Sequence, residues 1–541
     1  MKRTNILSII SAIIMAVVIV SCGDGKDYLK ALPSNSVVVA KMNFGNLLNE
    51  SEALQDPQIK GALKESINQM QGDSRKLLRD LIEHPENSGL DLNQPAYLAI
   101  ENLEQMRGVI IFSVSNEEQV KTTLSTLLAD NNLNSKLTLS SQDGINTIED
   151  NEGNAMGAFD AEKLVFAYSN GIADAIEYMT LSEENQKRSA ELEYFIDMDT
   201  DAAFYADYGQ VMNLLAAAER ELEGIDFSMF KETKLIGSLN FDKGKVSVSY
   251  QLKGSKKLEE LYNKVYNNAS NDLVKYLPKN TWGVAQVGIK ELKPAFDLIM
   301  AGEMGKKLQR EFDKANAELA EAGIKTQLSL DLLNSIQGDA IIGVTPTIKD
   351  KEQNDPQIIA IAECKDRKLF DAILMIVKTE EDVEEVGKDV VSLGVNKRID
   401  WDNHVWGEEY KYIRKGYDYY FGFADNKMFV LPENFYKQCV SGGKFKEMGK
   451  SLKDNDFLYN IIDNKNAGGI DLNALYNMLN NEDLSRKDRQ VAKMIRSFAG
   501  ASVEMKNSNE AEASVYLKDK ETEALKQIKD ALVQALISSK M

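Results

Sequence analysis

Asp197, Asp199 and Asp201 stand at alternate positions, as the ligands of a calcium loop begin. Such a loop needs Gly at its sixth place and Glu at its twelfth. Ala202 and Tyr208 stand there, so an EF-hand is excluded. The two histidines, His84 and His404, have neither the i, i+4 spacing nor the cysteine partners of a transition-metal site. His84 reads instead as the cation that closes a helix before Pro85. No metal and no cofactor are expected. Gly443 to Ser451 imitates a phosphate loop, but five residues separate its glycines where the backbone cradle needs four. Ser441-Gly442-Gly443 reads as a helix stop. There is no G-x-S-x-G nucleophile elbow and no histidine in a triad context. With 84 acidic residues a chance carboxylate pair is certain, so no catalytic residue is nominated.

Ring stacking is the sharper possibility. Trp401, Trp406, Tyr410 and Tyr420 belong to an aromatic-rich run ending at Phe423. Strand alternation puts Tyr417, Tyr419, Phe421 and Phe423 on one face. The bland reading is a core face with strand-forming aromatics. The functional reading makes Trp401, Trp406, Tyr410 and Tyr420 a partly exposed platform for a glycan or an envelope protein. Cys364 falls on a strand and Cys439 on a helix. They read as two buried free thiols, with a disulfide left open as the alternative.

Short apolar runs bounded by turn residues set the elements that must position these groups. Ser36–Asn43, Pro95–Ile100, Gly108–Val114, Ala202–Ala206, Lys234–Phe241 and Lys245–Leu252 read as strands, and 137–168 as a strand-rich stretch. Helical periodicity covers 46–84 with breaks, 117–129, 208–223 and a segment from Lys256. The opening of this series then recurs. Leu32-Pro33-x-Asn35 aligns with Leu277-Pro278-x-Asn280 at an offset of 245 (278 − 33), and Val39-Ala40 with Val284-Ala285. Later elements follow in the same order. Val109-Ile110 aligns with Ile358-Ile359 at 249, and Phe159 to Lys163 with Phe423 to Lys427 at 264. Asp207 aligns with Asp471, also at 264. The expected fold is therefore α+β. It has two homologous halves, 28–270 and 271–541, each a largely antiparallel sheet with helices packed on one side. Val37, Val39 and Val284 should be buried at equivalent places. Pro33 and Asn35 read as strand-entry residues.

The chain carries a net charge of −20 over 541 residues, which argues against a nucleic-acid partner. Lys2 and Arg3 precede an apolar run, Ile6–Val20, too short to span a bilayer. The run ends Ile19-Val20-Ser21-Cys22, which resembles a lipobox. Residues 1–21 then read as a signal peptide, Cys22 as the lipidated residue and 22–27 as a tether. The expected address is the cell envelope, with the chain held to the outer membrane through lipid on Cys22. Both the periplasmic and the outward face stay open.

The lipobox, the short acidic tether and the Leu32-Pro33-x-Asn35 strand entry together resemble a family of Bacteroidota lipoproteins, that of domain of unknown function 4836. The resemblance implies an envelope lipoprotein and transfers no catalytic residue. A non-enzymatic binding or structural module is the first expectation, and a carboxylate-dependent envelope hydrolase the alternative.

Overall fold

The computed structural model describes residues 26–68, 72–129, 137–170, 174–218, 230–254, 256–300, 303–321, 323–325, 327–346, 356–378, 383–387, 389–394, 418–479 and 496–540. Cys22, His404, Trp401, Trp406 and Tyr410 lie outside them. The chain is mixed α+β, and the strand pairs of its described residues are antiparallel.

Two compact units are formed. The first takes the described residues up to Met212, Phe230–Gly254, and the chain from Leu517 onward. Its strands are β1 (Val38–Met42), β2 (Ala96–Asn102), β3 (Arg107–Ser113), β4 (Thr138–Gln142), β5 (Ile145–Glu149), β6 (Ala155–Phe159), β7 (Lys163–Tyr168), β8 (Ala202–Asp207), β9 (Lys234–Asp242) and β10 (Lys245–Lys253). They pair in the order β4-β5-β6-β7-β3-β2-β1-β8-β9-β10.

The second unit holds Ser255–Tyr516 and the end of the Tyr208–Ala218 helix. Its first strands are β11 (Tyr266–Asn267), β12 (Gly283–Ile289), β13 (Ile336–Pro346), β14 (Pro356–Cys364), β15 (Val383–Gly387), β16 (Val390–Gly394), β17 (Asp418–Ala424) and β18 (Lys427–Pro432). A two-stranded hairpin follows, β19 (Val440–Ser441) with β20 (Lys444–Phe445), and then β21 (Asn466–Asp471), β22 (Phe498–Asn507) and β23 (Glu510–Leu517). The sheet runs β15-β16-β17-β18-β14-β13-β12-β21-β22, the same order as in the first unit.

Register makes the match residue by residue. Val39 lies between Ala99 and Tyr205, and Val284 between Gly343 and Gly469. Val37, Val39 and Val284 are all buried. The two strand entries are built alike. Ser36 Oγ donates to Pro33 O and Thr281 Oγ1 to Pro278 O, each at 2.7 Å. One expected alignment shifts by a residue. The partner of Val109 is Ile359, an offset of 250 (359 − 109): both are fully buried, whereas Ile358 is 50% exposed. A one-residue slip in a strand exchanges the two faces, so burial decides the register. The following helices agree, since Val120 and Leu124 correspond to the buried Phe370 and Leu374.

Helices pack on both faces of each sheet, not on one. Val109, Ile111, Val165 and Ala167 join one core cluster with Phe195 and Leu192. Their alternating neighbours Phe112, Leu164 and Phe166 join another with Val120 and Leu124. Strands buried on both faces lose the polar alternation that would have marked a one-sided sheet. The second unit repeats this, with Ile359 and Ile361 on one side and Cys364, Phe370 and Phe421 on the other.

The division expected between residues 270 and 271 falls inside the second unit. Helix Lys256–Val265 packs there on Lys293–Met300, its Val265 buried and accepting from Lys290 N at 2.8 Å. Conversely, the last helix, Ala524–Lys540, packs in the first unit on Phe44–Ser51. Lys526–Glu52 (2.7 Å) and Lys529–Asp56 (3.3 Å) tie it down. Each repeat thus supplies its closing helix to the other unit.

Beyond the helix-covered strands one sheet face stays open and apolar. In the second unit Ile358, Ile342, Ile470 and Val503, on β14, β13, β21 and β22, are each about half exposed. Register puts all four on the face of Gly283 and Ala285. The first unit exposes Leu98, Met42 and Phe204 on the corresponding face. Among the described residues no helix is long and apolar enough to cross a membrane.

Candidate functional site

Lys41 is the first group whose chemistry must be weighed. It sits on the central strand β1, is buried, and burial pulls its ammonium below the ordinary lysine range. It lines a cleft of about 250 Å³ with Tyr97, Asp197 and Asp199. Its Nζ donates to the carbonyls of Ile196 (2.9 Å) and Met198 (2.5 Å), at the end of helix Ala190–Asp197. The equivalent residue of the second unit is Gln286, an offset of 245 (286 − 41). Gln286 Nε2 donates to Ile462 O (2.5 Å) and Lys465 O (3.0 Å), after helix Asp456–Ile462. A donor kept at one strand position while its charge is lost is a helix C-cap, not a nucleophile.

Glu50 is a carboxyl held well above its ordinary range. Burial, then the charge of Asp201, pushes it up to about 7. Asp201 in turn accepts from Phe241 N at 2.8 Å. Glu523 and Asp242 add negative charge nearby. Glu50 and Asp201 are thus neighbouring acids of the first unit.

The larger cleft, about 540 Å³, belongs to the second unit and opens at the repeated strand entry. Pro278, Lys279, Asn280 and Trp282 come from that entry, Lys450 from a neighbouring loop, and Asp471 and Ala474 from the end of β21 and the helix after it. The Thr281 hydroxyl is tied to Pro278 O, and Asn455 is spent on carbonyls and on the Leu458 N–H. One carboxylate therefore faces the cleft.

That carboxylate differs from its counterpart. In the first unit Asp207 Oδ2 accepts from Lys234 Nζ (2.6 Å) and Gln210 Nε2 (3.0 Å). Burial pulls the Asp207 carboxyl upward, but these donors hold it below the usual carboxylate range. Asp207 stands opposite Lys234 across β8 and β9, and Asp471 opposite Gly500 across β21 and β22. Gln210 corresponds to Ala474, an offset of 264 (474 − 210). Asp471 Oδ1 still accepts from Asn473 N (2.9 Å) and Ala474 N (3.1 Å), but both side-chain donors have gone. Beside it stands Trp282 in the place of Val37, 8% exposed, its Nε1–H without an acceptor. Asp207 and Asp471 align in the sequence, whereas their cross-strand partners, Lys234 and Gly500, are set by strand pairing that the chain order does not give.

Of the residues singled out from sequence, Tyr420 is described and is buried, stacked on Tyr436 at 4.6 Å and 6°. It belongs to the core and not to an exposed platform, because its strand is covered on that face. Phe421 and Phe423 both contact Phe370. This part of the aromatic excess is a volume exchange: Gly157 faces Phe166 in one unit and Phe421 faces Val430 in the other. Cys364 and Cys439 are free and buried, and burial raises both thiols, Cys439 to about 11. His84 is exposed beside Glu86 at 3.3 Å. Asp197 pairs with Lys26. Gly442 and Gly443, at φ 60° and 74°, form the tight turn of the β19–β20 hairpin, where a simple helix stop had been expected. Among the described residues no three ligating side chains converge as a metal site would need.

No curated protein matches the chain. Among solved structures, crystal form I of TP0453 is similar at 11% identity over 43% of this chain and 82% of that one. The TM-score of that match is 0.26. The family described as Domain of unknown function (DUF4836) matches residues 28–525, and the chain belongs to that family.

Proposed function

We propose that the protein is a lipid-anchored lipoprotein of the Bacteroidota cell envelope that acts by binding an envelope protein, without catalysis. One observation carries the binding reading. Both units leave the same sheet face open and apolar, with Ile342, Ile358, Ile470 and Val503 at 47–57% exposure on four strands of the second. A contiguous apolar patch is the mark of an interaction surface, since leaving it in water costs about 25 cal/mol per Å². The face carries few donors or acceptors, which suits a protein surface better than a glycan. The lipobox at Cys22 supports the anchor and the address.

The carboxylate hydrolase has one point in its favour, the acid pair Glu50 and Asp201. Neither residue lines the two clefts described above. The larger cleft presents one carboxylate, where a two-acid mechanism needs two; the smaller is lined by Asp197 and Asp199, but Asp197 is paired with Lys26. An apolar fluorescent dye tests the binding face. Ile342→Glu with Val503→Glu should lower dye binding several-fold at an unchanged unfolding midpoint. Unaltered dye binding would remove the face as the working surface.

A further inference from the structure

The cleft of the second unit is a separate matter from the open sheet face, and its ligand can be read from what the repeat has lost. In the first unit a cation, Lys234, sits on the outer oxygen of Asp207. In the second unit the same oxygen of Asp471 has no side-chain partner among the described residues, and the place of Lys234 is Gly500. No side chain can return there, because a Cβ on Gly500 would lie 2.3 Å from the Phe457 ring. Gln210 has become Ala474, which opens the wall, and Val37 has become Trp282.

Opposite charge stands at the rim. Lys279 N donates to Lys450 O at 3.3 Å, and Pro278 bridges Ser451, so the backbone holds the two lysines side by side. Neither ammonium has a carboxylate partner among the described residues. Trp282 lines this wall, and its indole N–H is buried without an acceptor. A volume of about 540 Å³ suits a ligand of dipeptide size.

We propose that this cleft binds a small zwitterion of peptide type, its ammonium or guanidinium group on the Asp471 carboxylate and its anionic group on Lys279 and Lys450. The ligand cation meets, from the Ala474 side of the cleft, the carboxylate oxygen that Lys234 and Gln210 satisfy in the first unit. The protein's own Asp207–Lys234 contact is thus the pattern for the complex.

The test follows the Trp282 indole N–H resonance in the isotope-labelled full chain, assigned through Trp282→Phe. The probes are lysyl-alanine, its doubly N-acetylated form and its C-terminal amide. Lysyl-alanine should shift the resonance saturably, and capping the amines should weaken binding about tenfold or more. The amide should bind more weakly than the free acid. Asp471→Asn keeps the helix cap and should lose about tenfold in affinity. Ala474→Gln restores the amide that Gln210 supplies in the first unit and should block the site at an unchanged unfolding midpoint. The proposal is overturned if lysyl-alanine gives no saturable shift, if the acetylated form binds as tightly, or if Ala474→Gln binds as well as the natural chain. None of these results bears on the apolar sheet face, whose dye test is read separately.

Discussion

Glu50 and Lys41 show how far a single residue's environment sets its role. The Glu50 carboxyl titrates near 7 in the folded chain against an ordinary 4.5. The folded state therefore holds a proton that the unfolded state releases over that interval. Stability falls as pH rises from 4.5 to 7 and is flat above. Partial exposure discounts the effect to about 1 kcal/mol. Glu50→Gln should flatten this part of the pH–stability curve and raise stability above pH 7, as measured by denaturant unfolding at a series of pH values. For Lys41 the repeat supplies the control. Lys41→Met strands two buried carbonyls and should cost about 1–3 kcal/mol, whereas Lys41→Gln copies Gln286 and should cost far less. Equal losses in the two variants would mean that the charge, not the cap, matters.

At the scale of elements, the closing helices are exchanged. Ala524–Lys540 packs on Phe44–Ser51 in the first unit, and Lys256–Val265 packs on Lys293–Met300 in the second. Ending the chain before Ala524 should therefore lower hydrogen-exchange protection at Phe44–Ser51 and β9, with β13 and β14 still protected. The opposite pattern would contradict the exchange. Much of each sheet was legible in the sequence because Val-rich strands and turn residues are local signals. Leu-Pro-x-Asn marked both central strands for the same reason. Which helix closes which unit was not legible, because an amphipathic pattern states that a face is buried and not against what. Register was legible only to one residue, since Ile358 and Ile359 are equally apolar and burial alone separates them. The cleft was hidden for another reason. Its signal is the loss of Lys234 and Gln210 across β strands whose pairing the chain order does not give. Tyr420 misled because an aromatic in a crowded run looks exposed until its partner Tyr436 is placed.

For the whole molecule the proposal joins a lipid anchor to open apolar faces on a chain of net charge −20, whose self-repulsion keeps copies apart. The proposed anchor rests on one thiol. Cys22→Ser should abolish acylation and leave an unprocessed precursor, as read by mass spectrometry of the amino terminus; normal processing of that variant would refute the lipobox. The binding reading rests on the sheet face, and crosslinking from it in the native membrane tests it most directly. A photoreactive side chain at position 342 of the anchored protein should give a discrete adduct with an envelope protein. Val503→Glu on the same face should abolish that adduct. No adduct from position 342 beyond that from an exposed polar position, or an adduct indifferent to Val503→Glu, would contradict the account.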